Sequence, residues 1–181
     1  MEKTKKSNSF WQDMARPLVV LVVICLVAAA LLGVVNATTK PVIEANREKT
    51  AALTRQAALP DASSFEKLDV SADLADLGVT GLYKGDNGSG YVATASSKGY
   101  GGDVTVTVGF DADGKILNVL ADVGTETTGV GSKVGAADVL ARFKGVSGSA
   151  DDVNLVSGAT YTSKAVRAGV NAAIAAVESV K

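Results

Sequence analysis

The 181-residue chain contains no histidine, one cysteine, three prolines and only 5% aromatic residues. Without histidine there is no imidazole base, no Ser-His-Asp arrangement and no His-based zinc site. Cys25 is the sole thiol and stands inside an apolar run, which rules out an intrachain disulfide and an iron–sulfur cluster held by this chain's own thiolates. Aromatics are too few, and basic residues too scattered, for a basic stripe with interleaved stacking platforms, so nucleic acid is not an expected partner. Any redox or catalytic chemistry is therefore expected to come from a cofactor.

Charged residues are missing from the 18 positions Leu18–Val35 (LVVLVVICLVAAALLGVV). At ~1.5 Å rise per residue this run covers roughly 27 Å, close to the thickness of a bilayer's hydrocarbon core. It lacks the polar face of a buried core helix. It is also longer than a signal-peptide core and no A-x-A site follows it. The reading is an uncleaved transmembrane helix over 17–36, with Trp11 at the membrane interface.

Orientation has a weaker signal. Lys3, Lys5, Lys6 and Arg16 precede the span, and Lys40, Arg47, Lys49 and Arg55 follow it within twenty residues, so the two sides balance. Arg16 abuts the span on the short side, and a large following domain translocates largely regardless of charge. These points place residues 1–16 in the cytoplasm and 37–181 outside. Four of the 18 basic and two of the 19 acidic side chains precede the span, leaving the outer part with 14 basic and 17 acidic groups.

Residues 40–59 read as a separate helix with Pro41 in its first turn and Pro60 at its stop, making 37–60 a helical stalk. From 61 to 79 the pattern is acidic and undecided. Gly81–Lys84 and Tyr91–Ala95 flank a GDNG turn, and Val104, Val106, Val108 and Phe110 alternate with Thr105, Thr107 and Gly109 as a half-buried strand. Asp111-Ala112-Asp113-Gly114 turns into the partner strand 115–122; its two carboxylates are too few for a calcium loop. A loop over 124–131, a short helix over 132–143, a short buried strand over 153–156 and a final helix over 162–180 complete the chain. Hairpins with helices at the ends predict an α+β domain over 61–181, with a mostly antiparallel sheet flanked by helices.

The segment Ser157-Gly158-Ala159-Thr160-Tyr161-Thr162-Ser163 stands before the last helix. A helix start offers unpaired N–H groups and partial positive charge, and small residues let a phosphate approach the backbone. Ordinary capping, with Thr160 or Thr162 as N-cap and Gly158 turning the chain, fits the spacing equally well.

SGATYTS closely resembles the SGAT-x-TS segment of the covalent-FMN domain shared by the G subunit of Rnf complexes and the C subunit of sodium-pumping NADH:quinone oxidoreductases. The order Gly99-Tyr100-Gly101-Gly102, a DxDG hairpin, then Glu126-Thr127-Thr128-Gly129-Val130-Gly131 resembles the family's GYGG…ETPGLG order, departing from it at Thr128 and Val130. A third departure is Asn154, where the family has an aspartate six residues before the modified threonine. The resemblance spans essentially the whole chain. It implies one FMN per chain, joined through its phosphate to Thr160 by a flavin transferase that uses FAD, with Thr162 as the competing hydroxyl. It further implies that Ser157, Gly158, Ala159, Thr162, Ser163, Glu126, Thr127, Gly129, Val130, Gly131, Tyr100 and Gly101 surround the cofactor. The implied function is electron relay among the membrane subunits of an Rnf-type ferredoxin:NAD oxidoreductase. The sodium-pump C subunit and a non-redox, anchored phosphate-ligand module are the alternatives.

Overall fold

The computed structural model describes residues 5–181, with side chains from Met14 onward. The interface role read for Trp11, and the positions of the lysines at 3, 5 and 6, lie outside the described side chains. The described residues fall into two units that divide between Thr50 and Ala51.

The backbone is helical from Lys5, and this helix, α1, runs Lys5–Ala58, its last eight residues counted with the second unit. One stretch of it is long and apolar enough to cross a membrane. The residues Leu18–Val35 present their side chains outward all round, Cys25 among them. Such a surface suits hydrocarbon rather than water. The separate helix expected from 40 to 59 is not separate: Pro17 and Pro41 both lie inside α1. Each proline removes one N–H from the ladder. Near Pro41 the Thr38 and Thr39 hydroxyls donate to the carbonyls of Val34 and Val35, the back-bonding that threonine makes within a helix.

The second unit is an α+β domain, as the alternation of its apolar residues predicts. Its strands are β1 (Phe65–Leu68), β2 (Val79–Gly85), β3 (Tyr91–Lys98), β4 (Asp103–Phe110) and β5 (Ile116–Asp122). They lie in chain order, every neighbouring pair antiparallel. A one-turn helix α2 (Ala72–Asp76) joins β1 to β2; α3 (Ala137–Leu140) follows β5, and α4 (Thr160–Glu178) closes the fold. Alternation on β4 separates two faces. Val104, Val106, Val108 and Phe110 are fully buried in one core with Val166, Val170, Ala173, Ile174 and Val177 of α4. On the opposite face Val92 packs with Ala58, Leu59 and Ala62. There Gly109 lets the backbone of Ala58 lie flat on the sheet; a Cβ at 109 would collide with the Ala58 carbonyl.

Two expected elements take other forms. Residues 131–143 are not one helix but a 3₁₀ turn Gly131–Gly135, the short helix α3 and a second 3₁₀ turn Ala141–Phe143. The break falls at Ala136, whose ψ of 144° is extended. Residues 153–156 form no strand. Their polar groups turn elsewhere: the Val156 N–H donates to the Ser163 hydroxyl at 3.1 Å, and the Asn154 carbonyl accepts from the Arg142 guanidinium at 3.5 Å.

Candidate functional site

Three segments meet at the N-terminal end of α4: the Gly99–Gly102 turn between β3 and β4, the 124–131 loop after β5, and 157–163. They surround a cavity of about 320 Å³, near the small end of the ~300–1,000 Å³ usual for small-molecule sites. Tyr100 lines it from the first segment, Glu126, Thr127, Val130 and Gly131 from the second, and Gly158 to Thr162 from the third.

The third segment turns at Gly158, whose φ of +81° belongs to the left-handed region. Helix α4 then starts at Thr160. Its N-cap is Ala159, which has no side-chain oxygen, so neither Thr160 nor Thr162 caps the helix as ordinary capping would require. Ser163 does related work one turn in, its hydroxyl accepting the Val156 N–H. At such a start the N–H groups of Thr160, Tyr161 and Thr162 have no intrahelical acceptor. These three residues line the cavity, and among the described residues no lysine or arginine does. The positive potential available to a phosphate here is therefore that of the helix end.

The hydroxyls of this first turn differ sharply in availability. Thr160 is exposed. Thr162 is 2% exposed, and its Oγ1 donates to Glu126 Oε2. Ser163 is buried and occupied by Val156.

Glu126 ties the site together. Its side chain is buried, and besides the Thr162 hydroxyl it accepts the N–H of Gly101 at 3.0 Å and that of Tyr100 at 3.4 Å. One carboxylate thus joins all three segments. Gly131 is required beside it, because a Cβ there would stand 2.8 Å from both Glu126 Cβ and Thr162 Oγ1. The Thr162 hydroxyl, foremost, and the amides of Gly101, Tyr100 and Gly102 hold the Glu126 carboxyl below its ordinary value of 4.5, with burial opposing them.

A folded-state value below the unfolded one means that this carboxylate contributes stability above its ordinary range. That contribution is lost as pH falls through the folded value. Glu126→Gln is expected to lower the melting temperature at neutral pH and to flatten its fall below about pH 4.5. Thermal melts of both proteins from pH 7 to about pH 3 check this; parallel curves would remove Glu126 as the acid-sensitive tie.

The remaining expected site residues are near but behind the lining. Gly101 packs on Thr125 and acts through its N–H. Gly129, at φ +79°, donates to the Ser132 hydroxyl at 2.9 Å and shapes the loop. Ser157 is exposed outside the lining, and Ser163 is internal. Asn154 is exposed in the loop leading to Ser157. Asp111 accepts the N–H groups of Asp113 and Lys115, an ordinary turn, and no metal-binding cluster exists among the described residues. The residue that sequence reasoning passed over is Tyr161. It lines the cavity and is 70% exposed, with its ring centroid 6.1 Å from that of Tyr100. Its signal was an aromatic between two threonines at a helix start.

An apolar N-terminal helix followed by an α+β domain, whose last helix starts at a cavity of small-molecule size, has the architecture of a membrane-anchored small-molecule-binding protein. Residues 99–175, which contain all three site segments, match the FMN-binding domain family. The chain is 32% identical to the G subunit of the Na(+)-translocating ferredoxin:NAD(+) oxidoreductase complex of Acetobacterium woodii, the alignment covering 96% of each chain. It is 27% identical to the G subunit of the proton-translocating ferredoxin:NAD(+) oxidoreductase complex of Clostridium ljungdahlii, covering 96% of this chain and 95% of that one. The chain belongs to the family formed by the G subunits of ion-translocating ferredoxin:NAD(+) oxidoreductase complexes.

Proposed function

We propose that this protein relays electrons between membrane subunits of an ion-translocating ferredoxin:NAD oxidoreductase, through one FMN phosphoester-linked to Thr160. In this reading residues 1–16 are cytoplasmic, 17–36 span the membrane, 37–60 connect, and 61–181 hold the flavin outside. The observation that carries it is the difference between hydroxyls: of Thr160, Thr162 and Ser163 in the first turn of α4, Thr160 alone is exposed. It stands at the cavity, beside amides able to receive phosphate oxygens.

The residues fit the group. No basic side chain among the described residues lines the cavity, so a free phosphate would be held by helix amides and hydroxyls against water. A covalent bond removes that weakness, and it keeps a cofactor on a protein facing the outside of the cell. When bound, the flavin supplies the capacity to accept and return electrons. The chain's own residues orient and shield it: Glu126 fixes the three segments, Gly158 sets the approach to Thr160, and Thr127 and Val130 wall the cavity. Glu126 is engaged by protein donors, so its carboxylate serves to hold the segments together. The two relatives name different ions, and the extracytoplasmic domain carries no cluster of metal-binding groups among the described residues.

The test is the intact mass of the protein made with and without a flavin transferase. One FMN increment, only with the transferase, is expected; an unmodified mass under both conditions would overturn the attachment.

A further inference from the structure

Of the seven aromatic side chains between residues 61 and 181, five are buried or half-buried. The other two, Tyr100 at 75% and Tyr161 at 70% exposure, are the pair that lines the cavity at Thr160. Single exposed rings are ordinary, but two that adjoin each other in the wall of one cavity form an apolar patch of the kind that marks a ligand groove. These two come from segments 61 residues apart in sequence, and their meeting is built in rather than incidental. Glu126 accepts the Tyr100 N–H, and the same carboxylate accepts the hydroxyl of Thr162, the residue after Tyr161. One buried group therefore positions both rings.

We infer that Tyr161, with Tyr100 beside it, is the aromatic cover against which the ring system of the flavin on Thr160 is held. The inference rests on the attachment proposed above. Tyr161 directly follows the attachment residue, so its ring is within reach of anything tethered there. The pair's spacing decides how the flavin is met. The centroids are 6.1 Å apart with ring planes at 48°, inside the ~4.5–7 Å range of aromatic pairs that touch each other. Inserting a third ring between two others needs about 7 Å, two van der Waals contacts of ~3.5 Å. The tyrosines therefore form one continuous aromatic wall, and the flavin lies against it rather than between them. Tyr161 is thus a positioning residue. It occupies the x of SGAT-x-TS, next to the attachment residue, and its ring lines the cavity.

The wall has two separable effects on the flavin. Stacking shields the ring from solutes, which any aromatic achieves. A phenol also donates an electron to excited flavin and darkens its fluorescence, which phenylalanine does far less. The full chain, loaded with FMN in detergent and verified by intact mass, distinguishes them through emission yield and quenching by iodide. Tyr161→Phe is expected to brighten the flavin severalfold while iodide access stays at the parent's level. Tyr161→Ala is expected to raise both, and Tyr100→Ala to raise iodide access. Unchanged emission in Tyr161→Phe together with unchanged iodide access in Tyr100→Ala, each carrying FMN, would overturn the inference even if Tyr161→Ala escaped modification. Absence of the FMN increment from the parent protein would instead sink the attachment reading, and this inference with it.

Discussion

Thr160→Ala is expected to eliminate covalent FMN, leaving the protein colourless and its mass unmodified after exposure to the transferase, while its melting temperature stays near that of the unmodified parent. Thr160 is exposed and is not the helix cap, so losing its hydroxyl leaves no buried group unpaired. The matched substitution Thr162→Ala is expected to do the reverse. It should keep the attachment hydroxyl but strip Glu126 of its buried donor, costing on the order of 1–3 kcal/mol. The FMN increment should survive in that protein, with a lowered melting temperature. Retention of the increment by Thr160→Ala and its loss from Thr162→Ala, in protein that still folds, would move the attachment to Thr162. The structure makes that outcome costly, because Thr162 would have to leave Glu126 and reach the surface from a site 2% exposed.

The second large effect is all-or-none. A reporter enzyme that works only outside the cytoplasm, fused after Lys181, is expected to be active, and a reporter that needs the cytoplasm is expected to be silent there. The basic residues flanking the apolar run are balanced, four on each side, so charge by itself chooses weakly. Arg16 next to the span and the size of the following domain favour the domain outside. A cofactor-bearing domain there gains from a tether, since a dissociated FMN would not be recovered. The opposite reporter pattern would reverse the orientation and remove the reason for covalent retention.

The membrane segment was legible because a bilayer tests only local composition: a run of apolar side chains satisfies it whatever the rest of the chain does. The hairpins were legible for a similar reason. Period-two burial on Val104–Phe110 and the DADG turn are local consequences of pleat and turn geometry. The last helix declared itself through Val166, Val170, Ala173, Ile174 and Val177. By contrast β1 has four residues and no alternation of its own, and it exists by pairing with β2. The helix expected over 132–143 is broken where the backbone extends at Ala136, between a 3₁₀ turn and α3. The strand expected over 153–156 fails because its Val156 N–H and Asn154 carbonyl are already engaged by Ser163 and Arg142.

At the site the division runs along the same line. The SGATYTS segment and the Glu126–Gly131 loop stood out by their resemblance to the family's motifs, whereas residue type and spacing alone fitted ordinary capping of the last helix equally well. Which hydroxyl is available could not. Thr160 and Thr162 are the same residue type two positions apart; a carboxylate 36 residues upstream of Thr162 engages one and leaves the other exposed. The Tyr100–Tyr161 wall likewise depends on that carboxylate. Sequence by itself determined the apolar anchor, the hairpin strands of the sheet and the last helix, because each follows from interactions within a few residues. Tertiary structure alone decided which hydroxyls are exposed and which rings meet, because burial and a shared hydrogen-bond acceptor are set by chain segments that come together only when folded.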